Sequence, residues 1–130
     1  MLEFNRNHTK ELKEYLYNSC IHDAKLKCIK YESESGSLEI QTFNPIFCVE
    51  MDFIFNDVKY IVVSMGNNFG NHETIISLTV EEDYSHLKND VQNHNESIEK
   101  YFYILFQTFA GDELHIVANK VTIKEMKEYI

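Results

Sequence analysis

One stretch limits the fold of this chain more than any other: Tyr101 to Ala118, which reads Tyr-Phe-Tyr-Ile-Leu-Phe-Gln-Thr-Phe-Ala-Gly-Asp-Glu-Leu-His-Ile-Val-Ala. Two apolar, aromatic-rich runs flank a Gly-Asp, the pattern of a β-hairpin. A two-residue turn at Gly111-Asp112 sets Phe106 across from Val117 and leaves Leu114 and Ile116 facing Phe109 and Gln107. A three-residue loop, Ala110 to Asp112, instead aligns Phe102, Ile104 and Phe106 with Leu114, Ile116 and Ala118. A one-residue slip moves every side chain to the other face, so the register that keeps one apolar face intact is expected, and with it the longer loop. Tyr101, Tyr103, Leu105 and Phe109 then share the second face. A helix must cover that face, or it is offered to a partner.

Further runs of alternating residues extend the sheet. Ile29 and Tyr31 precede Ser33 to Gly36, and Leu38 and Ile40 follow it. A four-residue loop there places Tyr31 across from Leu38 and Ile29 across from Ile40. Leu26 breaks the alternation, which predicts a bulge or a strand start near Lys27. A turn at Phe43-Asn44-Pro45 leads to a strand with Phe47, Val49, Met51, Phe53 and Phe55 on one face and Cys48, Glu50 and Asp52 on the other. Asn56-Asp57 is a turn pair. Val58 to Met65 is apolar on both faces, which predicts a central strand covered on both sides. Ile76, Leu78 and Val80 mark another half-buried strand.

The ends read differently. His8 to Asn18 has Leu12, Tyr15 and Leu16 at helical spacing, with Lys10, Glu11, Lys13 and Glu14 opposite, and Asn7 or Thr9 as the cap. Thr122 to Ile130 predicts a short C-terminal helix with Thr122 and Glu125 as a capping box. A terminal strand is the alternative, because Val121 and Ile123 also alternate. The expected architecture is α+β: a mostly antiparallel sheet of about six or seven strands built from hairpins, an N-terminal helix and a short C-terminal helix. The whole chain, 1–130, is long enough to be one domain with its own core.

Composition narrows the function classes. The formal charge of −9 disfavours nucleic acid and anionic membranes as partners, because phosphate binding needs a basic stripe. It is compatible with a basic protein partner, although keeping the chain soluble accounts for it by itself. No apolar run is long enough to span a bilayer, and the first residues lack the pattern of a secretory signal. Cys20, Cys28 and Cys48 are odd in number and form no Cys-x-x-Cys, which fits a reduced, cytosolic setting.

The reactive residue types do not assemble into a motif. His22-Asp23 occurs as a metal pair in some helical phosphohydrolases, but here it precedes strands and reads as a shaped turn. His86 and His94, with Asp83 and Asp90, and His72 nearby, lie in polar sequence without a frame to converge them on a metal. Gly66 to Gly70 lacks the Lys-Ser/Thr of a phosphate loop. No Gly-x-Ser-x-Gly is present, and no cysteine has an evident electropositive setting. No catalytic residue, metal or cofactor is expected.

Several of these segments taken together resemble a known group. Ile21-His22-Asp23-Ala24-Lys25-Leu26 with Ile29, Gly36-x-Leu38-x-Ile40, Phe55-x-Asp57-Val58, and Tyr101-Phe102 followed by Thr108 to Leu114 are similar to small uncharacterised proteins of Gram-positive bacteria. Members of that group occur near polymorphic-toxin loci, as immunity or accessory proteins. The resemblance implies a cytosolic binding protein and carries no catalytic motif. The expected function is therefore a protein-interaction module, of the kind that blocks a basic toxin domain. Its contact residues would be Glu81, Glu82, Asp83 and Asp90 of the acidic stretch, and Tyr101, Tyr103 and Phe109 of the hairpin. Two alternatives stand beside it. One is a small ligand- or metal-binding domain or enzyme with a Tyr/His pocket. The other is a homo-oligomer built by sheet-edge pairing.

Overall fold

The computed structural model describes residues 1–64, 74–81, 101–108 and 111–127. Among them are one α-helix and nine strands, all in antiparallel pairs. The α+β class and the antiparallel sheet stand. The expected count of six or seven strands is too low, and among the described residues the expected C-terminal helix is a strand.

The strands are β1 (Leu2–Asn5), β2 (Lys25–Glu32), β3 (Ser37–Asn44), β4 (Val49–Asn56), β5 (Tyr60–Ser64), β6 (Ile75–Glu81), β7 (Phe102–Thr108), β8 (Glu113–Ala118) and β9 (Lys120–Lys127). They form two sheets rather than one. The first runs β1-β9-β4-β3-β2 and the second β5-β8-β7-β6. Each sheet turns an apolar face inward. Leu38, Ile40, Phe53 and Phe55 of the first share one buried cluster with Phe102, Ile104, Phe106 and Ile116 of the second. Phe53 meets Phe106 edge to face across this core, with ring centroids 5.6 Å apart.

Helix α1 (Thr9–Asn18) packs against β1 and β6, and Leu12 and Leu16 join the same core. It covers no second face of a sheet, as a layered α+β domain would require; it closes the gap between two sheet edges. The expected cap is also elsewhere. Asn5 accepts from the Asn7 backbone N–H and so caps a short 3-10 turn, Arg6–His8, that precedes the helix. His8 stands at the helix start without a side-chain cap.

Both hairpin registers follow the hydrophobic pattern. Tyr31 pairs with Leu38 and Ile29 with Ile40, with the bulge between Leu26 and Cys28. Phe102, Ile104 and Phe106 pair with Ala118, Ile116 and Leu114. The final loop lies one residue earlier than expected: Thr108 N–H donates to the Asp112 carbonyl at 3.0 Å, so Asp112 ends the ladder. Gly111 supplies the positive φ of +86° in that turn.

Three expectations fail for physical reasons. Residues 120–127 form a strand because β9 lies between β4 and β1, which satisfy its backbone on both sides. The expected central strand over Val58 to Met65 is, in its described part Tyr60–Ser64, an edge: among the described residues β5 pairs only with β8. Its two apolar faces have separate causes. Ile61 packs on the main core, and Tyr60 packs on a second cluster, Tyr101, Tyr103, Leu105 and Val117, on the outer face of the second sheet. Phe47 and Cys48 precede β4 in a turn instead of extending it, with Cys48 at φ 54°.

The sheets join at two places. At one corner β4 runs into β5 and β8 into β9; Lys59 N–H donates to Val117 O at 2.8 Å and Asn119 N–H to Asn56 O at 3.2 Å. At the other, the Ile21–Ala24 turn bonds to β6: Asp23 N–H donates to Ile75 O at 3.0 Å and Ile75 N–H to Ala24 O at 2.8 Å. Among the described residues the β2 and β5 edges are not joined to each other, and the space between them positions the site described next.

Candidate functional site: the open mouth of the two sheets

Among the described residues β2 and β5 are both edge strands. In β2, Ile29 and Tyr31 pair with Ile40 and Leu38 and so lie on the inner, apolar face of their sheet. In β5, Val63 pairs with Leu114, also an inner residue. Ordinarily such positions are buried. Here Ile29 is 42% exposed, Tyr31 52% and Val63 49%. The inner faces thus extend beyond the area where the sheets cover each other. Between them lies a cleft of about 210 Å³, lined by Leu26, Ile29, Val63, Ile75, Phe106 and Leu114. Its surface is mostly hydrocarbon, with polar groups from Lys27 on the β2 side and from Thr108, Asp112 and Glu113 on the other.

The free side of β2 carries backbone donors and acceptors as well. Among the described residues, its one pairing there is the bridge from Lys25 to Thr74. An unpaired edge beside exposed apolar side chains is a template for another strand. The outward face of the same strand carries three lysines and, at its end, Glu32. Lys25 and Lys30 pair with Phe43 and Glu39, outer positions of β3, and Lys27 Nζ stands 6.0 Å from the centre of the Phe43 ring.

The hairpin's second face, with Tyr101 and Tyr103, is arranged differently. Tyr101, Tyr103 and Leu105 are buried. Tyr101 donates its hydroxyl to Asp57 Oδ2 at 3.2 Å, and Arg6 Nη1 donates to its carbonyl at 2.8 Å. Burial, foremost, pushes the Tyr101 phenol pKa up. Glu81 pairs directly with Tyr103, so these two residues do come together. Glu82, Asp83, Asp90 and Phe109 lie outside the described residues, as do His72, His86, His94 and the Gly66–Gly70 segment.

A polar line crosses this face that the sequence reading did not single out. Ser77 donates to Gln107 Oε1 at 2.9 Å, and Gln107 donates to Glu113 Oε2 at 3.0 Å. Glu113 Oε1 lies 3.5 Å from His115 Nε2, and His115 Nδ1 is hydrogen-bonded to the Tyr103 hydroxyl. The signal was the hairpin register itself: it places Tyr103, Leu105, Gln107, Glu113 and His115 on one face. Ser64, Glu81, Tyr103 and His115 border a shallow hollow of about 360 Å³. Tyr103 is only 1% exposed, so most of its surface serves packing.

His22-Asp23 is a turn. Asp23 adopts φ 67°, and Asn44 Nδ2 donates to the Cys20 and His22 carbonyls at 2.8 and 3.2 Å. Among the described residues no group of three His, Cys, Asp or Glu side chains is placed to hold a metal ion. None of their helices is long and apolar enough to cross a membrane. No protein-family model, no curated protein and no solved structure matches this chain.

Proposed function

We propose that this chain is a non-enzymatic protein-interaction module acting in the cytoplasm. The observation that carries this reading is the open mouth: Ile29, Tyr31 and Val63 are inner-face residues left half exposed around an apolar cleft. Hydrocarbon held at a surface beside an unpaired strand edge stabilises a complex when a partner removes it from water. The charge of −9 supports a basic partner, which long-range attraction would bring in quickly. Together with the resemblance to proteins of toxin loci, this favours an immunity protein that occludes a basic toxin domain.

The test is to co-express the chain with each protein encoded beside its gene and to measure complex mass and, where that protein is toxic, cell survival. A stoichiometric complex with rescue is expected. No complex and no rescue sinks the reading. One observation favours a second reading: the Tyr103–His115–Glu113 line beside a hollow is the kind of pocket a small polar ligand uses. Stoichiometric metal, or a small molecule that raises Tm in a thermal-shift screen, would favour it over the first.

A further inference from the structure

We infer that the free edge of β2 takes an extended segment of another protein, one that alternates apolar and acidic side chains. The inference rests on the reading of this chain as an interaction module and specifies how the partner is held. Three observations meet on this one strand. Its outer edge is a row of backbone groups with one bridge among the described residues, Lys25 to Thr74. Its inward side chains, Ile29 and Tyr31, are half exposed at the mouth of the cleft. Its outward side chains include Lys25, Lys27 and Lys30, on a chain whose total charge is −9.

A strand laid along this edge continues the sheet, and its side chains alternate between the same two faces. Those on the inner side land over Ile29, Tyr31 and Val63, with room for one of them in the 210 Å³ cleft. Apolar residues gain there, and a charge placed there loses its hydration. Those on the outer side land beside the lysines, where carboxylates are attracted and cations repelled. Main-chain bonds supply affinity without sequence preference; the two faces supply the preference. The lysines also oppose pairing with a like copy, since a second β2 brings its own lysines to this face. Overall acidity and local basicity do different work: the first brings in a basic domain, and the second selects which of its segments binds.

The probe is the synthetic peptide Val-Glu-Val-Glu-Val-Glu-Val, with Val-Lys-Val-Lys-Val-Lys-Val as its counterpart. Both are titrated into the full chain, with amide chemical shifts as the readout. The acidic peptide should shift β2 amides and those of Val63 and Leu114, with an affinity that falls as salt is added. The double variant Lys27→Glu/Lys30→Glu should weaken it about tenfold, because two attractive surface pairs become repulsive. That variant should stay folded with only a small drop in Tm, since both residues are exposed and the new cost is the repulsion between a carboxylate at position 30 and Glu39 across the ladder. Equal binding of the lysine peptide, shifts confined to another surface, no binding at millimolar peptide, or a concentration-dependent dimer that fills the edge would each overturn the inference. A toxin complex that survives the double variant would overturn this edge mode and leave the interaction reading standing. Loss of both peptide and toxin binding in the parent chain removes the two together.

Discussion

Phe47 and Phe53 sit on the same apolar alternation in the sequence, yet the structure assigns them opposite worth. Phe53 is 1% exposed and meets Phe106 edge to face at 5.6 Å, whereas Phe47 is 65% exposed in the turn before β4. Removing a buried phenyl costs its transfer energy plus the cavity left behind, about 3–5 kcal/mol. Phe53→Ala should fall in that range, with ~0.5–1.5 kcal/mol of it due to the aromatic pair. At roughly 2.1 cal/mol/K of unfolding entropy per residue, a chain of 130 residues loses about 4 °C of Tm for each kcal/mol. The drop should therefore be roughly 11–18 °C. Phe47→Ala should stay within ~0.5 kcal/mol, about 2 °C. Urea and thermal unfolding followed by far-UV circular dichroism measure both, since the chain has no Trp to report by fluorescence. Phe106→Ala closes a double-mutant cycle. Coupling with Phe53 is expected to exceed the ~0.3–0.5 kcal/mol within which independent sites add. Equal costs at Phe47 and Phe53, or strict additivity with Phe106, would refute the two-sheet core as described.

Other expectations follow from single residues. Burial and the Glu39 carboxylate raise the Asp52 pKa above 3.8, so its ionised form works against folding above the folded-state pKa. That penalty fades as pH falls through the folded pKa and is gone below the unfolded one. Asp52→Asn should thus raise Tm at neutral pH, and the gain over wild type should vanish as pH falls below 3.8; a gain that grows with acid contradicts this. Asn44 is buried, donates to two carbonyls and accepts from the Ile46 and Phe47 N–H groups. Asn44→Ala should cost about 2–4 kcal/mol in urea unfolding, from several groups left unpaired at once; a cost below 1 kcal/mol, on the order of one ordinary bond, would contradict that role. Gly111→Ala meets no atom within 4 Å, so its cost is backbone strain at φ +86° alone, about 1–2 kcal/mol. The same substitution to Asn, which tolerates a positive φ better, should cost less.

Local pairing was legible wherever one strand face is buried and one is not. Ile29 and Tyr31 against Ile40 and Leu38, and Phe102 to Phe106 against Ala118 to Leu114, follow from alternation because a slipped register would put core residues in water. The pattern could not say which strands meet across the sequence. β9 has a 3.6-residue reading through Ile123 and Met126 and a two-residue reading through Val121 and Ile123. The choice was made by β4 and β1, from remote parts of the chain. β1 itself carries only Phe4 as a buried residue, so Leu2–Asn5 gave no periodic signal. Likewise, two apolar faces on Tyr60 to Ser64 suggested a central strand. An edge strand meets the same description when each face finds a different cluster, as Ile61 and Tyr60 do.

The candidate site was less legible than the fold, for a reason that bears on the proposal. Exposure at Ile29, Tyr31 and Val63 is a property of where two sheets stop overlapping, and no single strand encodes that. The sequence did encode the other half of the feature. Lys25, Lys27 and Lys30 recur through β2 together with Leu26, Ile29 and Tyr31, and a bulge lets both sets keep their faces. A strand meant only to line a core needs the apolar set; one meant only to repel its copies needs the lysines. The chain instead holds an apolar strip and a cationic strip back to back along one free edge. If that edge were merely guarded, replacing Ile29 and Tyr31 with Thr should raise solubility at no cost to partner binding. If it is a docking edge, the same replacement should leave Tm near the parent value, because both residues are already half in water, and abolish binding of the partner segment.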